Sequence, residues 1–105
     1  MLNEVTIAVW GEFGRTPRVN SGGGREHWTK VAAAFLAGGG IRGGQAVGES
    51  HLIVGQARKR PVHVHAVIAT LYKKVGIDTR TKQIIDTAGR PRSLLEHREP
   101  IRELV

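Results

Sequence analysis

Apolar side chains fall along this chain in two kinds of run, and the kind predicts the element. "VTIAVW", residues 5–10, is continuous, rich in β-branched residues and closed by Gly11. Such a run predicts a strand covered on both faces, as in the interior of a parallel sheet. That strand needs neighbours on both sides, and the remaining sequence offers few, so part of the sheet is expected to lie outside these residues. In "HWTKVAAAFLAGGG", Trp28, Val31, Ala32 and Phe35 stand at helical spacing and the alanines favour a helix, which the glycines at 38–40 would end. "IRGGQAVGES" is punctuated by glycine and predicts a brief extended piece over residues 45–47 between two turns.

The clearest periodicity follows. Val64, Val67, Ile68, Leu71 and Val75 line one helical stripe, Pro61 precedes it, and Gly76 sits where a C-terminal cap belongs. Beyond it, "KQII" predicts a small strand, "AGRP" a turn, and "PIRELV" a closing segment that packs through Ile101 and Leu104.

Between the first strand and the alanine-rich stretch, the apolar pattern stops. "WGEFGRTPRVNSGGGREHW", residues 10–28, holds Glu12, Glu26, Arg15, Arg18, Arg25 and His27, with few apolar side chains between its two tryptophans. Backbone ordered without apolar burial loses conformational entropy for little return, so this loop reads as a site rather than as structure.

Composition changes the picture in two ways. At 105 residues, with 40% apolar side chains, the chain is at most one globular segment, yet only 5% of it is aromatic and 14 residues are glycine. A core so thin in large side chains suggests one shared with other residues. There is no cysteine, hence no disulfide and no thiolate zinc site. The opening "MLNEVTIAVW" lacks the pattern of a secretory signal, and no apolar run reaches membrane-spanning length.

The formal charge of +7 is unevenly placed. Residues 1–55 hold five Lys or Arg against four Asp or Glu, and residues 56–105 hold eleven against five. Basicity therefore sits away from the polar loop, and no helix-turn-helix, zinc-finger or RNP pattern accompanies it, which argues for a solvated face over a nucleic-acid reader.

Glu12 stands just past the carboxyl end of the first strand, the edge where ligands bind in open α/β sheets. His27 follows fifteen positions later, beside Glu26. Carboxylate oxygen and neutral imidazole are usable ligands for a divalent metal, and Arg15 and Arg25 are suited to an anionic group. Spacing alone favours a loop stapled by Glu12 or Glu26 to Arg15 or Arg25, with His27 a partly buried hydrogen-bonding residue. In "HVH", His63 and His65 would share a face if extended, a spacing metals use, but at a helix start the two rings are expected to diverge. "GGGIRGGQ" lacks the Lys-Ser or Lys-Thr ending of a P-loop, and no Ser or Thr occupies a GxSxG setting.

"VWGEFGRTPRVN", "GREHW", "LAGGGIRGGQAVGES", "IATLYKKVGI" and "GRPRSLLEHREPIREL", in that order, resemble the C-terminal portion of the bacterial proteins grouped as domain of unknown function 1501. That family is itself similar to sulfatases and the wider alkaline phosphatase superfamily. The resemblance implies an α/β sandwich with a largely parallel sheet, incomplete as a domain, to which residues 1–105 contribute a single C-terminal segment. It places Glu12 at a metal-binding Asp position and His27 at the superfamily's last histidine ligand, with Glu26 replacing an Asp. Phe13 stands where the superfamily has a histidine, and that departure puts a two-metal site in doubt. "VIATLYKKVGI" resembles a packing helix of sulfatases, with Ala66 where an acidic residue is common.

The implied function is a contribution to a metal-dependent sulfate or phosphate ester hydrolase. Glu12 and His27 would hold a divalent metal, and Arg15 or Arg25 would meet the anionic ester. The nucleophile and other ligands would lie in a missing N-terminal part, leaving this chain inactive alone; the resemblance also implies a parent that commonly begins with an export signal. Two other functions compete with it. One is a small basic module that docks on an acidic partner or nucleic acid through Arg58, Lys59, Arg60, Lys73 and Lys74. The other is a non-catalytic family with a decayed site, for which Phe13 is the clue.

Overall fold

A computed structural model describes residues 1–50 and 56–105. Its elements run β1 (Thr6–Trp10), β2 (Gly14–Arg15), β3 (His27–Trp28), β4 (Ala34–Gly38), β5 (Glu49–Ser50), β6 (Ala57–Lys59), α1 (Val64–Lys74), β7 (Gln83–Ile85) and β8 (Pro91–Ser93). The strands form two-stranded antiparallel pairs, β1 with β4, β2 with β3, β5 with β6 and β7 with β8.

This overturns the α/β sandwich with a largely parallel sheet. The strand over residues 5–10 forms, but its partner is β4, in the register Thr6↔Gly38 to Trp10↔Ala34. A parallel partner requires a crossover, usually a helix, and only a loop bearing the β2–β3 hairpin separates β1 from β4. Nor is β1 covered on both faces, since Ile7 is 41% exposed and Val9 63%.

The helix expected through Trp28 and Phe35 is absent as well, because residues 34–38 are strand. Helix propensity amounts to tenths of a kcal/mol per residue and yields to tertiary pairing. Here Phe35, Leu36 and Ala37 pair with Val9, Ala8 and Ile7, and Leu36 packs against the core. The strand ends where a glycine is required, since a Cβ on Gly39, whose φ is +54°, would run into Thr6 Oγ1. Residues 45–47 form no strand. Gln45 instead donates through Nε2 to the carbonyls of Arg42, at 2.9 Å, and Glu103, at 2.7 Å, while Val47 lies against the core.

The α1 helix forms where its stripe predicted, as do the small strand β7 and the turn after it. Val67, Ile101 and Leu104 make the buried cluster, with Leu36, Ile41, Val47, Val62 and Ala66 around it. Thr70 is fully buried and serves both sides of this packing, donating to Ala66 O at 2.7 Å and accepting from Ile101 N at 2.8 Å. Thr79, also buried, donates to Arg98 O at 2.7 Å. The C-terminal segment is therefore fixed on α1 by apolar burial and by satisfied polar groups together. The radius of gyration is 16.6 Å, against about 13 Å for a compact chain of this length. Much of the rest is consequently open ribbon. Among the described residues, no helix is long and apolar enough to cross a membrane.

Candidate functional site

The polar loop is a hairpin held by its own backbone. β2 and β3 pair Gly14 with Trp28 and Arg15 with His27. Gly14 N donates to Val31 O at 2.8 Å, and a Cβ at position 14 would stand 2.5 Å from that oxygen, so the approach admits only glycine. Thr16 N donates to Glu26 O at 3.0 Å, and Thr16 Oγ1 accepts from Glu26 N at 3.1 Å. At the tip, Asn20 Oδ1 accepts from Gly22 N at 3.1 Å and Gly24 N at 2.9 Å, the local closure that favours Asn in turns.

The structure brings together part of the expected site. Arg15 and His27 are direct cross-strand partners, and both are exposed. Directly opposed residues in an antiparallel pair have side chains within reach of one another. The His27 ring lies against Phe13, with centroids 4.4 Å apart and planes at 44°. The phenylalanine that replaces a histidine in the resemblance is thus the packing partner of the remaining imidazole.

Arg25 is turned back into the loop, donating through Nη1 to the carbonyls of Thr16, at 3.1 Å, and Pro17, at 3.3 Å. Loop closure therefore runs through arginine and carbonyl groups, and among the described residues no ion pair joins Glu12 or Glu26 to Arg15 or Arg25.

Glu12 is exposed, next to Phe13 in the chain. Among the described residues, no group of three or more His, Asp or Glu side chains is placed to hold a metal ion. Catalytic zinc takes three protein ligands, so Glu12 and His27 do not by themselves fit a resident metal.

The basic side chains of the second half are mostly engaged within the molecule. Arg58 and Lys59 meet Glu49 at 3.5 and 3.6 Å. Lys74 Nζ donates to Gly40 O at 2.7 Å, which ties the end of α1 to the glycine turn after β4. Arg60 grips Glu103 with two bonds, Nε to Oε1 at 2.7 Å and Nη2 to Oε2 at 2.8 Å, and this hydrogen-bonded guanidinium pulls the Glu103 carboxyl down to about 2. Asp78 is held below the usual carboxylate range by the Arg80 guanidinium, and Asp86 by the Arg90 backbone N–H and the Arg92 guanidinium. Cations so paired are less available to an external polyanion.

Sequence reasoning missed one grouping. His63 and His65 do not diverge at the start of α1, since their rings meet edge-on with centroids 4.8 Å apart, and His97 joins them from the C-terminal segment. The available signal was the packing of Ile101 and Leu104 on the α1 stripe, which carries the residues just before them toward the helix start.

Residues 1–105 match the family model described as "Protein of unknown function (DUF1501)". No curated protein and no solved structure matches.

Proposed function

The chain belongs to the DUF1501 family, and from that premise we propose that residues 10–28 form the anion-recognising part of a sulfatase-like ester hydrolase whose site is completed by residues outside this sequence. The observation that carries the proposal is the exposed Arg15–His27 rung, set in a hairpin that is closed by hydrogen bonds of its own backbone. Arg15 takes two oxygens of a sulfate or phosphate ester through its planar fork. His27, steadied by Phe13, presents its imidazole on the same rung. Arg25 keeps the loop closed and is a positioning residue. Glu12 and His27 are two ligands of a divalent metal only when further ligands come from elsewhere in the site, and such an ion would polarise the ester. The segment alone is inactive.

Titration of the chain with inorganic sulfate, followed by amide NMR, tests this. Sulfate is expected to shift the amides of Arg15 and His27, and Arg15→Ala to weaken that binding about tenfold or more. A loop that sulfate leaves unmoved, or an R15A variant that binds as the parent does, overturns the assignment. In a longer family protein carrying this segment, metal content that survives both Glu12→Ala and His27→Ala removes those residues as ligands.

A further inference from the structure

The imidazoles of His63, His65 and His97 gather beside the first turn of α1, with centroid separations of 4.8, 4.4 and 5.8 Å for the pairs 63–65, 63–97 and 65–97. Two of these rings hold backbone through the same atom. His63 Nδ1 accepts from His65 N at 3.1 Å and caps the helix, while His65 Nδ1 accepts from His97 N at 3.4 Å and ties the C-terminal segment to it. A nitrogen that accepts carries no proton, so each neutral ring keeps its hydrogen on Nε2. A metal on Nε2 would move that proton to Nδ1 and break both bonds. No three-ligand group is placed for an ion among the described residues. The cluster is therefore matched to a proton rather than to a metal.

We propose that these histidines form an acid-released latch between the start of α1 and residues 94–98. A proton taken up by His63 or His65 goes to Nδ1, which then faces a backbone N–H as a second donor, and the hydrogen bond is lost. The new positive charge stands at the N-terminal end of a helix whose first turn has no acidic side chain, where the helix dipole opposes it. A charge on His97 adds repulsion against His63, the ring nearest to it.

The charged neighbours are Glu96 and Arg98, which flank His97 in the chain, and Arg60 ahead of α1, which is committed to Glu103; none forms an ion pair with these imidazoles among the described residues. All three effects favour the latched state when the rings are neutral and release it as pH falls. Ile101, bonded to Thr70, holds the rest of the segment in place, so opening is confined to the helix start and the stretch that buries Leu95.

The test is amide hydrogen exchange with imidazole 15N NMR on the full chain at about pH 8 and about pH 5. At the higher pH, His63 and His65 are expected as Nε2–H tautomers. On acidification, the protection factors of the His65 and His97 amides should fall about tenfold, while that of Ile101 holds. His63→Asn supplies a capping acceptor that takes up no proton, and should keep the His65 amide protected at both pH values. An Nδ1–H tautomer at either ring, equal protection of both amides at the two pH values, or a His65 amide that still opens in H63N overturns the latch.

Discussion

Side chains hold α1 and the C-terminal segment over residues 94–105 together, whereas over the first 38 residues the backbone does most of the holding. The buried apolar residues Val67, Ala69, Leu95, Ile101 and Leu104 all belong to α1 or the segment that docks on it; the buried hydroxyl of Thr70 fastens the two, and that of Thr79, beyond the end of α1, bonds the same segment at Arg98 O. In the β1–β4 ribbon, Ile7, Val9 and Phe35 face solvent, and the β2–β3 hairpin is closed by peptide groups, Thr16, Asn20 and Arg25. Apolar burial contributes about 25 cal/mol per Å², while a hydrogen bond exchanged with water nets about 1 kcal/mol, so the first region has far less to resist local opening. The exposed Arg15 and His27 therefore sit on the more weakly held part. The proposed site and the buried core occupy different stretches of the chain.

The contrast breaks most sharply at Ile101. Ile101→Ala removes a 4% exposed side chain from the cluster with Val67 and Leu104, and is expected to lower unfolding stability by about 2–4 kcal/mol in chemical denaturation. Gly14→Ala comes next, because its Cβ meets Val31 O. It should open the hairpin and erase the slow exchange of the Gly14 and Thr16 amides, while the helical circular dichroism and the denaturation midpoint change little.

The smallest effect is electrostatic. The Glu103 carboxyl lies at about 2 in the folded state, below its ordinary value of 4.5, owing to Arg60. A depressed folded value means stabilisation present above the ordinary value and lost as pH falls toward about 2. Arg60→Met should flatten stability across that window as measured by denaturation at stepped pH, whereas the hairpin amides keep their behaviour.

What could be read from the sequence divides along the same line. The α1 stripe from Val64 to Val75 and the docking of Ile101 and Leu104 were legible because burial writes a period into the chain. β1 was legible as a strand, but its partner and exposure were not, since a continuous apolar run looks the same in a parallel interior and in an uncovered antiparallel ribbon. Residues 34–38 were misread as helix because alanine-rich propensity is weak beside pairing with residues 6–10.

At the polar loop, residue types suggested a site, and the register sets Arg15 directly opposite His27. Arg25 bonds the carbonyls of Thr16 and Pro17 through Nη1, a contact that no spacing encodes. The histidine trio was hidden because His97 reaches His63 and His65 only through the docking of the C-terminal segment.

Native-state hydrogen exchange of the whole chain under mild denaturant tests the separation of the two regions most directly. Amides in the middle of α1 and that of Ile101 are expected to exchange only by global unfolding, with denaturant dependence equal to that of the full transition. The Gly14 and Thr16 amides should exchange through local openings almost independent of denaturant. A single common opening free energy for both sets would contradict the account, because the hairpin would then be part of the core.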